Sequence, residues 1–210
     1  MFVNWIDRLD APPREALRAA MIRRHFARGA LVFGRQEQPS GIFVIRQGSA
    51  AFFLDRAGGE RLLLKVFRLN EIIGETVAFD QRPAPASLEA REALVVDVVP
   101  GQRLAELHYA YPEIRAALAE VAARNLRHAL SLLGDLVLLP LAEKVHAQLL
   151  RLAEDAGAEP GAPIELALTQ GELAAMLGAS RQAVNAELAR LEAAGVVRRR
   201  FGRISLLAGS

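Results

Sequence analysis

Arg181, Gln182 and Asn185 stand close together in the chain and carry hydrogen-bonding groups that match the edges of nucleic-acid bases. A guanidinium donates two bonds to guanine O6 and N7, while a carboxamide pairs both ways with adenine N6 and N7. Ala186 and Ala189, being small, allow close approach to a groove or contact with a thymine methyl. Further on, Arg198, Arg199, Arg200 and Arg203 form a basic cluster suited to phosphates through a charge effect that is largely blind to sequence.

The flanking residues predict the elements that hold these groups. Thr169-Gln-Gly-Glu172 is a capping box: the Thr side chain accepts from the backbone three residues on, and the Glu side chain reaches back. A helix starts there with Leu173, Met176 and Leu177 on its buried face, and Gly178 ends it. Ser180 caps a second helix whose Val184, Leu188 and Leu191 recur at helical spacing, leaving Arg181, Gln182, Asn185, Ala186 and Ala189 off that face. Two helices joined by a short Gly-containing turn are a helix-turn-helix signature. Gly195 closes the second helix, and Val196 to Leu207 reads as a hairpin turning near Phe201-Gly202. The expected DNA-binding set is therefore Thr169, Ser180, Arg181, Gln182, Asn185, Arg199, Arg200 and Arg203. From Thr169 onward six Arg face three Glu, so a chain with a net charge of only +2 concentrates positive charge where the reading helix lies.

The rest of the chain supplies a scaffold. At 210 residues, 52% hydrophobic and 24% charged, it suits two modest folded units and excludes global disorder. Residues 12–28 read as a helix after Pro12-Pro13. Short apolar segments at Ala30–Gly34, Gly41–Arg46, Ala50–Asp55, Arg61–Phe67, Ala86–Ala90 and Leu94–Val99, punctuated by turn residues, predict a β-roll or barrel. Asp55 to Glu60 is the clearest hairpin signal, and Gly48 marks a turn needing positive φ.

A long helix follows Pro112, with apolar positions at Ile114, Leu118, Val121, Asn125 or Leu126, Ala129, Leu132, Leu133 and Leu136 up to Pro140. So narrow a stripe on so long a helix predicts a dimer seam through Ile114, Leu118, Val121, Asn125, Leu132 and Leu136; packing on the β-roll is the alternative. A second amphipathic helix covers Leu141–Leu152, a loop runs to Pro163, and Ile164–Leu168 is a strand.

Composition removes other functions. With no Cys, disulfides, thiol nucleophiles and cysteine-held iron–sulfur clusters are excluded. His25, His108, His128 and His146 form no ligand-spaced pair, so no metal site is expected; haem stays open, with His128 the first candidate. Glu75, Asp80 and Glu89 have no matching nucleophile, phosphate loop or metal spacing, which argues against an enzyme. The opening residues mix charges too early for a secretory signal, and no apolar run spans a bilayer, so a cytoplasmic location without membrane partners is expected.

Across residues 15–207 the chain resembles the Crp/Fnr family of bacterial transcription regulators. The carriers are Gly41-Ile-Phe-Val-Ile-Arg-Gln-Gly48, Ile73-Gly-Glu75, the loop Phe79–Ser87, and Leu173-Ala-Ala-Met-Leu-Gly-Ala-Ser-Arg-Gln-Ala-Val184 with Leu188–Gly195. The resemblance implies an α+β fold: a cyclic-nucleotide-binding-type β-roll sensor over residues 1–110, a dimerisation helix over 111–139 and a winged helix-turn-helix over 140–210. It also implies a homodimer on double-stranded DNA, RNA polymerase as a partner, a small-molecule effector, and transmission through the long helix with a hinge at Pro140.

In the family's cyclic-AMP-binding members, a Gly-Glu pair contacts ribose and phosphate, an Arg-Ser pair holds the phosphate, and a Thr-Ser pair on the long helix reads adenine. Here Gly74-Glu75 is kept. Pro85-Ala86 replaces the Arg-Ser pair in an ungapped alignment, with Arg82 reaching the phosphate only if a gap is introduced, and Ala129-Leu130 replaces the Thr-Ser pair. Without the phosphate's guanidinium and both hydroxyls, cyclic AMP is disfavoured as the effector. The alternatives are a haem- or cyclic-nucleotide-responsive member, or a ligand-binding module that uses its helix-turn-helix for protein contact.

Overall fold

The computed structural model describes residues 5–55, 61–159 and 161–208. They form two compact units that divide inside one helix, the first ending at Arg127 and the second beginning at His128.

The first unit opens with a 3₁₀ turn, Trp5–Arg8, followed by α1 (Ala11–Ala19), β1 (Ile22–Phe26), β2 (Leu31–Phe33), β3 (Gly41–Gln47), β4 (Ala50–Asp55), β5 (Arg61–Phe67) and β6 (Ile72–Ile73). Then come α2 (Val77–Asp80), β7 (Ser87–Ala90), β8 (Leu94–Pro100), α3 (Gly101–Ala110) and α4 (Pro112–Leu138), whose last turns belong to the second unit. Two antiparallel four-stranded sheets result, in the orders β1-β8-β3-β6 and β2-β7-β4-β5.

Their shared core takes Phe33, Phe43, Ile45, Phe67, Leu88, Leu94, Val96 and Val98, all buried. Along β8 the pleat sends Leu94, Val96 and Val98 into this core and Asp97 to the opposite face. There Asp97 meets Arg23 of β1 at 2.9 Å and Arg46 of β3 at 2.7 Å, the two strands that flank β8. Burial pushes the Asp97 carboxyl upward, but the hydrogen bonds and charges of Arg23 and Arg46 outweigh it and hold its pKa below the usual range. A second core joins Trp5, Ile6, Leu17, Ile42, Val44, Leu104 and Leu107 to Ile114, Leu118 and Val121 of α4.

The helix expected over 12–28 stops at Ala19, because residues 22–26 pair with β8 from Ile22↔Val98 to Phe26↔Leu94, and this non-local ladder overrides helical propensity. His25 consequently lies on a strand. Helix α3 and strand β6 were not anticipated; Leu104 and Leu107, three apart and buried, show why residues 101–110 fold as a helix. Gly48 does take positive φ, at +79°, and a Cβ there would meet Ala93 O at 2.4 Å. Residues 56–60 of the expected hairpin turn lie outside the described residues, although the strands leading to it pair up to Asp55↔Arg61.

The second unit contains the end of α4, then α5 (Leu141–Asp155), β9 (Ile164–Leu166), α6 (Gln170–Leu177), α7 (Arg181–Ala193), β10 (Val197–Arg200) and β11 (Arg203–Leu206). The strands form an antiparallel sheet in the order β10-β11-β9. Val145 and Leu149 of α5, Leu173 and Met176 of α6, and Val184 and Leu188 of α7 are all buried, so three helix faces close on a common interior. Helix α7 ends at Ala193, and the left-handed Gly195 follows one residue beyond its cap.

Candidate nucleic-acid interface and effector pocket

The capping box forms as its residue types require. Glu172 N–H donates to Thr169 Oγ1 at 3.1 Å, and Thr169 N–H donates to Glu172 Oε2 at 2.8 Å. Gly178 supplies a left-handed C-cap, and Ser180 Oγ accepts from Ala183 N–H at 3.2 Å to start α7. With Val184 and Leu188 buried, the helix turns Arg181, Gln182, Asn185, Ala186 and Ala189 outward on one face. Arg181 and Gln182 make no ion pair or side-chain hydrogen bond among the described residues, so both are available to a ligand. Thr169 and Ser180 are exposed, but their hydroxyls already serve the helix ends.

Strands β10 and β11 form a hairpin with Phe201 fully exposed at its tip, between Arg200 and Arg203. Leu168 and Thr169, Arg181 at the start of α7, and Arg199 to Ile204 on the hairpin line a cleft of about 510 Å³. The arginines here are not equivalent. Arg198 and Arg200 are exposed and free of ion pairs among the described residues, whereas Arg203 pairs with Glu165. Arg199 is largely spent inside the protein: its backbone N–H and Nε donate to Glu192 at 2.8 and 2.7 Å, and its Nη1 donates to Asn185 Oδ1 at 2.7 Å. These bonds hold the Glu192 carboxyl below the usual carboxylate range, the backbone bond contributing most. Glu192 was not among the residues singled out from sequence; its one visible signal was an acid six positions before a basic triplet.

In the first unit, Gly74 adopts φ +84°, where a Cβ would come 3.0 Å from Gly41 O, and this turn presents Glu75. Glu75 is buried and accepts from Asn125 Nδ2 at 2.7 Å. Asn125 therefore faces the Gly-Glu turn and not outward as a seam residue. Pro85 is exposed, Ala86 is fully buried, and Arg82 is exposed with its backbone N–H bonded to Asp80. Ala129 and Leu130 are exposed on α4.

Helix α4 carries two apolar stripes. Ile114, Leu118 and Val121 are buried in the first unit's own core, so they are not free to form a seam; Leu132 and Leu136 are half-buried. The exposed stripe is Leu126, Leu130, Leu133 and Val137, advancing by four, three and four residues. That spacing repeats every seven residues, the period of paired helices.

Among the described residues no three His, Asp or Glu side chains come together to hold a metal ion, and no helix is long and apolar enough to cross a membrane. His108 lies in α3 beside the Phe79 ring; burial, then the nearby Arg115, lower its pKa.

Comparison with known proteins matches residues 23–111 to the cyclic nucleotide-binding domain and residues 143–208 to the Crp-like helix-turn-helix domain. A CRP-like cAMP-activated global transcriptional regulator of Mycobacterium tuberculosis is 32% identical over 82% of this chain and 78% of its own length. The cAMP-activated global transcriptional regulator Vfr of Pseudomonas aeruginosa is 24% identical, covering 83% of this chain and 84% of its own. Among solved structures, a CooA mutant from Carboxydothermus hydrogenoformans superposes with a TM-score of 0.81 at 18% identity, over 99% of this chain and 92% of that one. The c-di-GMP responsive global regulator CLP of Xanthomonas campestris gives 0.78 at 22% identity, over 96% and 100%.

Proposed function

Because this chain belongs to the Crp/Fnr family of transcription regulators, whose members regulate rather than catalyse, we propose that it acts in the cytoplasm as a homodimer that reads a near-palindromic DNA site under an effector other than cyclic AMP. The observation that carries the reading is α7: a helix N-capped by Ser180 that presents Arg181 and Gln182, unpaired among the described residues, on one exposed face beside a hairpin whose Arg198 and Arg200 form no ion pair among them. Arg181 and Gln182 read base edges, while Arg198 and Arg200 hold phosphates. Two protomers paired through Leu126, Leu130, Leu133 and Val137 place two such helices in successive major grooves. RNA polymerase is the partner this arrangement serves.

The sensor end is the Gly74-Glu75 turn. Because Glu75 bonds to Asn125, an effector that engages Glu75 competes for a contact with the long helix, biasing it between two dimer arrangements; Pro140, between α4 and α5, is the hinge. The absence of cationic or hydroxyl groups at Pro85, Ala86, Ala129 and Leu130 supports an effector without cyclic AMP's phosphate and adenine. Calorimetric titration of cyclic AMP into the full-length protein is expected to give no saturable heat; stoichiometric binding would overturn this assignment. Selection from a random duplex library by the full-length chain is expected to return two inverted half-sites about one helical turn apart, ~34–36 Å between centres. Recovery of no shared sequence would refute the DNA-reading role.

A further inference from the structure

Asn185 lies on the exposed face of α7, and the hairpin reaches it through Arg199. Arg199 Nη1 donates to Asn185 Oδ1 at 2.7 Å and to the Asn185 backbone carbonyl at 3.4 Å, so one nitrogen spans the side chain and main chain of the same residue. Glu192 anchors the arginine from behind, accepting from its backbone N–H at 2.8 Å and its Nε at 2.7 Å. Arg199 is half-buried, whereas Arg198 and Arg200 beside it are exposed.

A carboxamide on a helix surface ordinarily turns about its last bond, exchanging its oxygen and its nitrogen. A guanidinium has only donors, so it admits the oxygen and excludes the nitrogen. The second lone pair of Oδ1 and both Nδ2 hydrogens remain for a ligand, an acceptor and a donor such as adenine N6 and N7 require. Arg199 thus takes away rotational freedom and leaves the hydrogen-bonding capacity in place.

We propose that Arg199 is a positioning residue and not a phosphate anchor: it holds the Asn185 carboxamide in one orientation before DNA arrives, so the wing sharpens base selection by α7. Ordering the side chain in advance spares the entropy that a free one loses on binding, about twofold to tenfold in affinity. That gain accrues only where Asn185 bonds its base, so it acts at one position of each half-site. This inference rests on the DNA-reading role of α7.

The test measures full-length wild type, Asn185→Ala, the pair Glu192→Gln with Arg199→Met, and all three substitutions together, on the selected duplex and its single-base variants across a salt series. Pairing Glu192→Gln with Arg199→Met keeps the net charge, so no unpaired carboxylate disturbs the salt dependence. The pair should lower discrimination about twofold to tenfold at the position that Asn185→Ala relaxes, leave the salt slope at its wild-type value, and have no further effect once Asn185 is alanine. A slope shallower by about 0.9 per half-site would make Arg199 a phosphate anchor and overturn the proposal. An equal loss for every sequence, persisting in the Asn185→Ala background, would overturn it in favour of simple support for the wing. An Asn185→Ala chain that keeps the wild-type consensus also overturns it but leaves reading by Arg181 intact, whereas a wild type that selects no sequence removes both. Should the paired variant unfold, as circular dichroism would reveal, Arg199→Lys decides: it keeps a charge for a phosphate but loses the planar fork, so discrimination should still fall at that one position, and retained discrimination would overturn the proposal.

Discussion

Leu130→Glu combined with Leu133→Glu is expected to leave the chain monomeric and to lower affinity for its duplex site by about 10²-fold or more. Leu126, Leu130, Leu133 and Val137 are between 57 and 70% exposed, a continuous apolar stripe of the sort soluble monomers seldom leave uncovered. Burying such a side chain is worth roughly 1.5–3 kcal/mol, and stranding an unpaired carboxylate in a closed seam costs several kcal/mol, so four introduced Glu per dimer outweigh the remaining apolar contacts. Neither residue belongs to the buried set Ile114, Leu118 and Val121, so the fold of each protomer should survive. Once the protomers separate, each half-site binds alone and the gain from linking two reading heads is lost. Sedimentation and fluorescence anisotropy check the two parts. A double variant that stays dimeric would move the seam elsewhere.

Arg181→Ala is expected to weaken binding by about 1–3 kcal/mol per half-site and to relax preference at one base position. Arg181 is the first residue of α7, exposed and without an ion pair among the described residues, so its guanidinium forfeits no internal bond when it meets a base. Arg199 offers the contrast. Its donors already serve Glu192 and Asn185, and its loss therefore acts through the protein rather than through a phosphate. Measuring Arg181→Ala against consensus and single-substituted duplexes separates the outcomes: unchanged affinity and unchanged preference would remove Arg181 from base reading.

The helix-turn-helix was legible in the sequence because its determinants are local. Thr169 and Glu172 are three residues apart, as are Ser180 and the Ala183 N–H it caps, so spacing alone specifies the bonds. The role of Arg199 was not legible, since it depends on Glu192 and Asn185 reaching it across a strand and a helix. On α4, periodicity showed an apolar helix but not which stripe was covered. Ile114, Leu118 and Val121 obey the same spacing as Leu126, Leu130, Leu133 and Val137, and only packing against Trp5, Leu17 and Leu104 distinguishes them. Asn125 looked like a polar interruption of a seam because its partner, Glu75, lies fifty residues earlier. Asp97 did leave a trace: an acid inside Val-Val-Asp-Val-Val needs a cationic partner when the strand is buried, and Arg23 and Arg46 supply it.

A dimeric DNA reader has its sharpest consequence in the affinity of the full-length protein for its selected duplex across a salt series. Arg198 and Arg200 from each of two protomers, joined by other cations on the contact face, displace counterions on binding. The logarithm of the binding constant should therefore fall linearly and steeply with the logarithm of salt concentration, about −0.9 per phosphate neutralised, with two chains per duplex. An affinity that stays flat as salt rises, or a single chain per duplex, would contradict a dimeric DNA reader.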